Sequence, residues 1–145
     1  MNLIDNIILS LEKEDIRQKN IYGNGFFCEP ISESQKKEVT IYFENTVNLK
    51  INSDYMKLLE ISNGMSVNGF NLYSAKEFMD ENNEYIKYDE TYFVYSSEST
   101  TRIAHHIKSD SFMILDRTTW EVLNVFPDFS SALKFNLEDC CILDV

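Results

Sequence analysis

Basic residues, glycine and proline are scarce in this sequence, and each shortage excludes a class of structure or function. Lysine and arginine number 13 of 145 residues, against 24 aspartates and glutamates, so the net charge is −11. Because nucleic acids and anionic membranes attract cationic side chains, we expect the protein to bind neither of them directly. Four glycines and two prolines leave few places for long irregular loops, so the secondary-structure elements should be closely joined.

Cysteine is also rare, and no apolar run is long. The three cysteines comprise an adjacent pair, Cys140 and Cys141, and the separate Cys28. This odd count does not fit a disulfide framework and favours free thiols in a reducing cytoplasm. No apolar run approaches the roughly 20 residues that a membrane-spanning helix needs. Residues 1–16 lack the basic start of a signal peptide, so we expect a cytoplasmic protein.

Apolar and aromatic residues, by contrast, are plentiful. They make up 43% and 13% of the chain, which is enough for a folded core and too much for a disordered segment. A chain of 145 residues without repeats, linkers or low-complexity segments indicates one domain, spanning residues 1–145.

Helical patterns dominate the first half of the chain. Apolar residues spaced three and four apart predict a first helix over residues 2–16, and the acidic end of this helix should fray. A second helix should begin at the capping box Ser32–Gln35 and stop at Asn45. The alternation of residues 47–51 then predicts an extended segment.

Several elements follow in close order over residues 53–78. A short apolar helix, capped at residue 52 or 53, should end where Gly64 takes the left-handed conformation. After a loop, Gly69–Tyr73 alternates as a strand. A second capping box, Ser74–Glu77, then begins the next helix.

The pattern changes to a period of two in the second half. Residues 116–119 predict a turn, and Asp128 should cap a last helix. Helices followed by an antiparallel meander predict an α+β fold, in which N-terminal helices and a C-terminal helix pack on a largely antiparallel sheet. The predicted strands of the meander span residues 92–95, 102–107, 111–115 and 120–126.

One ordered pattern consists of Tyr55, Leu58, Leu59, Asn63, Gly64, Gly69, Leu72 and Tyr73. This order resembles the SUKH superfamily, which includes yeast cell-wall-assembly regulators and many bacterial immunity proteins. The Asn-Gly and Leu-Tyr pieces look most like its YrhA-like branch. The similarity covers about residues 31–138, and it departs from the family at residues 51–53, where a proline is often found.

The resemblance implies a single SUKH-like domain with a binding role, and it supplies no catalytic residue, metal ligand or cofactor site. Our first hypothesis is a bacterial immunity protein that neutralises a contact-delivered toxin, for example a nuclease, by non-catalytic contact. Its partner would be a cognate protein toxin with a basic surface, because an acidic inhibitor attracts such a surface. A scaffold or regulatory module in cell-wall or signalling control is the first alternative. We expect a monomer or a weak dimer.

Residues able to support catalysis are few. His105 and His106 are the only histidines, and neighbours in a strand point to opposite faces, so they cannot hold one metal together. We expect one of them to be half-buried and the other solvated. The sequence has no glycine-rich phosphate loop and no Gly-x-Ser-x-Gly motif. A small metal-independent hydrolase that uses Cys28 or the histidines, for example as a Cys28–histidine pair, is the second alternative.

An acidic tract with interspersed tyrosines follows the signature pattern. Tyrosines supply contact area at protein interfaces, and carboxylates complement a basic patch. The competing interpretation is a solvated helix face and loop. Glu98, Glu138 and Asp139 are candidates to extend the acidic surface. The predicted partner-binding residues are Asp80, Glu81, Glu84, Tyr85, Tyr88, Asp89 and Glu90.

Overall fold

Helices lead the chain and strands follow in the computed structural model, which describes residues 2–87, 91–140 and 142. The helices are α1 (Leu3–Tyr22), α2 (Glu33–Val47), α3 (Ser53–Ile61), α4 (Ala75–Tyr85) and α5 (Phe129–Asp139). The strands are β1 (Met65–Val67), β2 (Phe70–Leu72), β3 (Tyr92–Val94), β4 (Thr101–His106), β5 (Ser111–Asp116) and β6 (Val122–Phe126). This arrangement confirms the predicted α+β class. None of these helices has the length and apolar character to cross a membrane.

The strands form two antiparallel sheets within the described residues. β1 and β2 make a hairpin, and Asn68 and Gly69 at its turn both have positive φ. The other strands follow in the order β3-β4-β5-β6, so that β3 and β6 are the edges of this sheet. α5 packs on β4, β5 and β6, whereas α4 packs on β3 and on α2. The two edges of the sheet therefore have different neighbours.

Tyr55 of α3 lies at the centre of the hydrophobic core. Its side chain is fully buried, and its ring centroid lies 5.3 Å from that of Phe78, 4.8 Å from that of Tyr95 and 5.9 Å from that of Phe129. The Tyr55 hydroxyl donates to the carbonyl oxygen of Tyr73 at 2.7 Å. One aromatic residue thus joins α3, α4, α5 and the end of β3.

Asn63 and Gly64 connect the end of α3 to the start of α4. Oδ1 of Asn63 accepts from the backbone N–H of Ala75 at 2.9 Å. Gly64 has a φ of 87°, and a Cβ at this position would lie 2.9 Å from the backbone nitrogen of Ser74. Gly69 is exposed at the hairpin turn. The remaining signature residues are buried: Leu58, Leu59, Leu72 and Tyr73.

Local capping starts the helices where the sequence predicts them. Both predicted capping boxes form, at the start of α2 and at the start of α4. The side chain of Asn52 caps α3, and that of Asp128 caps α5. These starts depend on residues only three positions apart, which is why they are legible in the sequence.

The first helix is longer than predicted. It continues to Tyr22 instead of ending at residue 16. The predicted end lies inside the helix, where the buried Asp15 carboxylate accepts from the backbone N–H groups of Phe26 and Phe27 at 2.7 and 3.0 Å. Burial opposes ionisation of this group, but hydrogen bonds to the carboxylate hold the pKa of Asp15 below its ordinary value. Asp15 therefore ties α1 to the following loop.

Three further predictions about the chain path are wrong. α2 ends at the left-handed Asn48 (φ 59°) and not at Asn45, because Val47 still packs against the core as part of the helix. Val47 and Asn48 consequently belong to the helix and its cap, so residues 47–51 are not one extended segment. The predicted loop before Gly69 contains β1, which pairs with β2.

Candidate protein-binding surface

α4 turns one face to the core and the opposite face to solvent. Phe78 is fully buried, and the amide side chain of Asn82 bonds to the backbone N–H and C=O of Val94 at 2.7 and 2.8 Å. These contacts fix the rotation of the helix about its axis, since residues on the other side of a helix then face water. The acidic residues on the exposed face are Glu77, Asp80, Glu81 and Glu84, of which Glu77 also closes the capping box.

Two lysines accompany these carboxylates without neutralising the surface. Nζ of Lys76 lies 2.6 Å from Asp80, and Nζ of Lys87 lies 3.2 Å from Glu84. Both pairs are exposed, and such pairs contribute only about 0–1 kcal/mol. Within the described ranges, no basic side chain lies within ion-pairing distance of Glu81. The exposed face of α4 therefore presents carboxylates to an approaching partner.

The other predicted binding residues have different positions. Tyr85 is half-buried at the end of α4. Tyr88, Asp89 and Glu90 lie outside the described residues. The suggestion that Glu98 extends the acidic surface is wrong, because its side chain is only 4% exposed. Glu138 and Asp139 belong to α5, where Glu138 pairs with Lys134 at 3.2 Å.

A group of half-exposed side chains borders the acidic face of α4. We call Tyr85, Tyr92, Arg102 and Trp120 the aromatic–arginine cluster. Nη1 of Arg102 donates to the Tyr85 hydroxyl at 2.5 Å. The Arg102 guanidinium lies 5.0 Å from the centroid of the Tyr85 ring and 5.7 Å from that of the Trp120 ring. The rings of Tyr85 and Tyr92 lie 5.3 and 6.1 Å from Trp120.

Tyr73 joins this cluster to the core beneath it. Its hydroxyl lies 3.1 Å from that of Tyr85 and accepts from Arg102 Nη1 at 3.4 Å. Burial raises the pKa of Tyr73, so this phenol remains neutral in the physiological range. The signature residue Tyr73 thus has a second role, since it holds Tyr85 and Arg102 in place.

Trp120 has a backbone conformation that is unusual for a large side chain. Its φ is 63°, and its N–H donates to the carbonyl oxygen of Asp116 at 3.0 Å, at the end of the β5–β6 turn. Glycine is the usual residue at such a left-handed bulge position. For another residue the conformation costs roughly 1–2 kcal/mol. The structure tolerates this cost, and the indole lies beside Arg102, Tyr85 and Tyr92.

Sequence reasoning missed Arg102 and Trp120 as members of the surface. The available signal was composition, because the chain has a single tryptophan and interface hot spots are enriched in Trp, Tyr and Arg. The sequence also predicts that Trp120 begins β6, whereas the strand begins at Val122. Only the sheet register shows that the turn before β6 brings Trp120 over Arg102 of β4.

The two histidines lie on opposite faces of β4, as predicted. His105 is more buried than expected, at 4% exposure, and stacks on Phe112 with ring centroids 4.4 Å apart. Burial lowers the pKa of His105, although its Nε2 lies 2.7 Å from Asp110. His106 is half-exposed and bonds to Ser109 through Nδ1 at 2.6 Å.

Cys28 is exposed, and its backbone N–H donates to Oγ of Ser62 at 2.7 Å. In the part of the chain that the structure describes, no hydrogen bond links Cys28 to His105 or His106. The described residues also contain no group of three or more His, Cys, Asp or Glu side chains placed to hold a metal ion. The described contacts therefore show no Cys28–histidine pair.

No family model matches the chain, and no curated protein matches it. The fold and the surface together define an α+β protein with a carboxylate-bearing helix face beside an aromatic–arginine cluster. The SUKH resemblance stays a prediction from the sequence.

Proposed function

We propose that this chain is a non-catalytic binding protein, and that it acts as a bacterial immunity protein by neutralising a toxin with a basic surface. One observation carries the proposal: the exposed carboxylates of α4 lie beside the half-exposed Tyr85, Arg102 and Trp120. Buried aromatic and arginine anchors supply most of the binding energy at protein interfaces, and charged residues around them steer association. Both components are present on this face.

The charge of the chain supports a basic partner. With a net charge of −11, the protein attracts cationic surfaces over distances of about a Debye length, roughly 8–10 Å. Nucleases carry such surfaces, because they bind phosphates through lysine and arginine. Carboxylates on α4 would occupy those phosphate positions and block substrate. The SUKH resemblance supports immunity as the biological setting, while a regulatory module of the same fold would use the same surface for another partner.

Charge reversal on α4 tests the position of the interface. Glu81→Lys/Glu84→Lys should weaken binding to the proposed cognate toxin domain by at least about tenfold, because like charges then oppose the basic partner. The fold should be retained, since both side chains are exposed and such surface substitutions usually change stability by no more than about 0.5 kcal/mol. Surface plasmon resonance at two salt concentrations measures the affinity, and the wild-type complex should weaken as salt increases.

Glu12→Lys/Asp139→Lys is the matched control, because it changes the net charge equally on α1 and α5 and should alter affinity by less than about threefold. Equal weakening by both double variants would show that only total charge matters and that α4 is not the interface. If the wild-type protein neither binds the domain nor rescues cells that express it, the immunity proposal is wrong. A growth defect on deletion without any attacker would then favour the regulatory role.

Trp120→Gly tests the aromatic anchor separately from the charges. Glycine accepts the φ of 63° without strain, so the variant removes the indole and leaves the turn intact. We expect the dissociation rate of the toxin complex to rise at least tenfold, or about 1.4 kcal/mol, with little change in the association rate. Tyr22→Ala, which removes a 70%-exposed aromatic ring from the end of α1, is the control. A change confined to the association rate would contradict an anchoring role for Trp120.

A further inference from the structure

The two edges of the four-stranded sheet are protected very differently. At the β3 edge, the Asn82 side chain bonds to both polar backbone groups of Val94. Just beyond β3, Tyr73 N–H donates to the carbonyl oxygen of Tyr95 at 3.0 Å, so that the end of β2 covers the chain there. At the β6 edge, no described residue outside β5 and its turn pairs with the strand. An uncovered edge offers unpaired N–H and C=O groups to another strand.

The side chains of β6 are unusually apolar for such an edge. Val122, Leu123 and Val125 are 42%, 47% and 58% exposed, and none of the five residues of β6 is charged. Monomeric proteins commonly place charges on edge strands to prevent pairing. Phe135 of α5, which is 39% exposed, packs on Phe126 with ring centroids 5.5 Å apart and extends the apolar surface.

A bulge and a proline limit how much of β6 can pair. The register shifts between Ile114 and Leu115, so Leu123 is an extra residue opposite β5. Pro127 ends the strand and lacks a backbone donor. The regular segment is therefore Asn124–Phe126, which pairs in register with β5. Any added strand should centre on this segment.

We propose that β6 pairs antiparallel with β6 of a second copy of this chain, across a two-fold axis at Asn124–Phe126. Such pairing is self-complementary, since the same uncharged strand lies on both sides of the axis. The two four-stranded sheets would then form one continuous sheet of eight strands. The Phe126–Phe135 corner of each copy would lie beside the new junction.

The distribution of charge favours a second copy over a basic partner at this edge. Two copies with a net charge of −11 each repel one another, so an interface between them should avoid the acidic helix. α4 packs on β3, and three strand spacings of about 4.8 Å separate β3 from β6. Pairing through β6 therefore places the two acidic helices at opposite ends of the joined sheet. A basic partner, in contrast, would find no carboxylate on β6 itself.

The contact is small, so the dimer should be weak. Interfaces that bury less than about 1,200 Å² in total belong to transient complexes, and one strand edge with a phenylalanine falls in this class. We expect a dissociation constant of about 10–100 μM, which corresponds to a small free energy of association. The proposed toxin-binding surface on α4 remains open in both copies, so the two proposals can fail independently.

Sedimentation equilibrium of the full chain from roughly 1 μM to 1 mM, a range that brackets this constant, tests the proposal. The weight-average mass should rise with concentration from 17.0 kDa towards twice that value. Val125→Lys should raise the dimer dissociation constant at least about tenfold, because two like charges face each other across the axis. Ile41→Lys is the matched control, since Ile41 on α2 is 59% exposed and the charge change is the same.

Hydrogen exchange of the wild-type protein decides the question even if Val125→Lys fails to fold. Amides of β6 should exchange more slowly at 1 mM than at 10 μM, whereas amides of α4 should exchange equally fast at both concentrations. More of the chain is dimeric at the higher concentration, because the expected dissociation constant is roughly 10–100 μM. A wild-type chain that stays at 17.0 kDa throughout would overturn the proposal. So would a dimer that Val125→Lys and Ile41→Lys weaken equally, or protection that appears on α4 and not on β6.

Discussion

Gly64→Ala should lower the free energy of unfolding by about 2–5 kcal/mol, through two separate effects. A residue with a Cβ resists the φ of 87° at this position, which costs roughly 1–2 kcal/mol. The new Cβ would also lie 2.9 Å from the backbone nitrogen of Ser74 and 3.1 Å from its Cα, so α4 must move. Overpacking of this kind typically costs about 1–3 kcal/mol.

Gly23→Ala separates these two effects. Gly23 has nearly the same φ, 85°, but a Cβ there would meet no atom within 4 Å. We therefore expect Gly23→Ala to lose only the conformational part, about 1–2 kcal/mol. Urea denaturation of both variants gives the difference, which measures the contact between Gly64 and the start of α4. Equal losses would show that this contact contributes nothing.

Features that depend on neighbouring residues were predictable from the sequence. The capping boxes at Ser32–Gln35 and Ser74–Glu77 need only a hydroxyl and a carboxylate or amide three positions apart. The hairpin between β1 and β2 was also accessible, because Asn68-Gly69 is a strong signal for a turn with two positive φ values. The prediction of a loop there overlooked this signal.

Features that depend on distant partners were not predictable. α1 continues past residue 16 to a left-handed cap at Gly23, and Asp15 accepts from amides 11 and 12 positions later, a contact that nothing local to the helix indicates. The candidate binding surface also depends on residues distant in the sequence, since Tyr85, Arg102 and Trp120 come from a helix, a strand and a turn. Their convergence follows from the register of the sheet. The sequence predicted the acidic half of the surface because those residues are consecutive turns of one helix.

Glu98 should make the protein less stable at pH 8 than at pH 5. Glu98 lies in the β3–β4 connection, and its side chain is only 4% exposed. Burial raises the pKa of Glu98 from an ordinary 4.5 to about 7. Oε2 accepts from Thr101 at 3.3 Å, whereas Oε1 has no hydrogen-bond partner among the described residues. Between pH 4.5 and 7 the folded state holds a proton that the unfolded state has released, so stability falls as the pH rises through this window.

The Glu98→Gln variant should remove this dependence, because it is neutral in both states. At 1.36 kcal/mol per pKa unit, the variant should gain up to about 3 kcal/mol over wild type at pH 8 and nearly nothing at pH 4.5. Urea denaturation of both proteins at several pH values measures the difference in their free energies of unfolding. The opposing titration of the buried His105 cancels in this difference, because both proteins contain it. Glu121→Gln, at an exposed position after the β5–β6 turn, controls for the loss of one carboxylate and should change stability by less than about 0.5 kcal/mol at every pH. A Glu98→Gln variant that is less stable than wild type at pH 8 would instead mean that the ionised carboxylate is a favourable hydrogen-bond acceptor, and that Glu98 stabilises the junction with α5 as an anion.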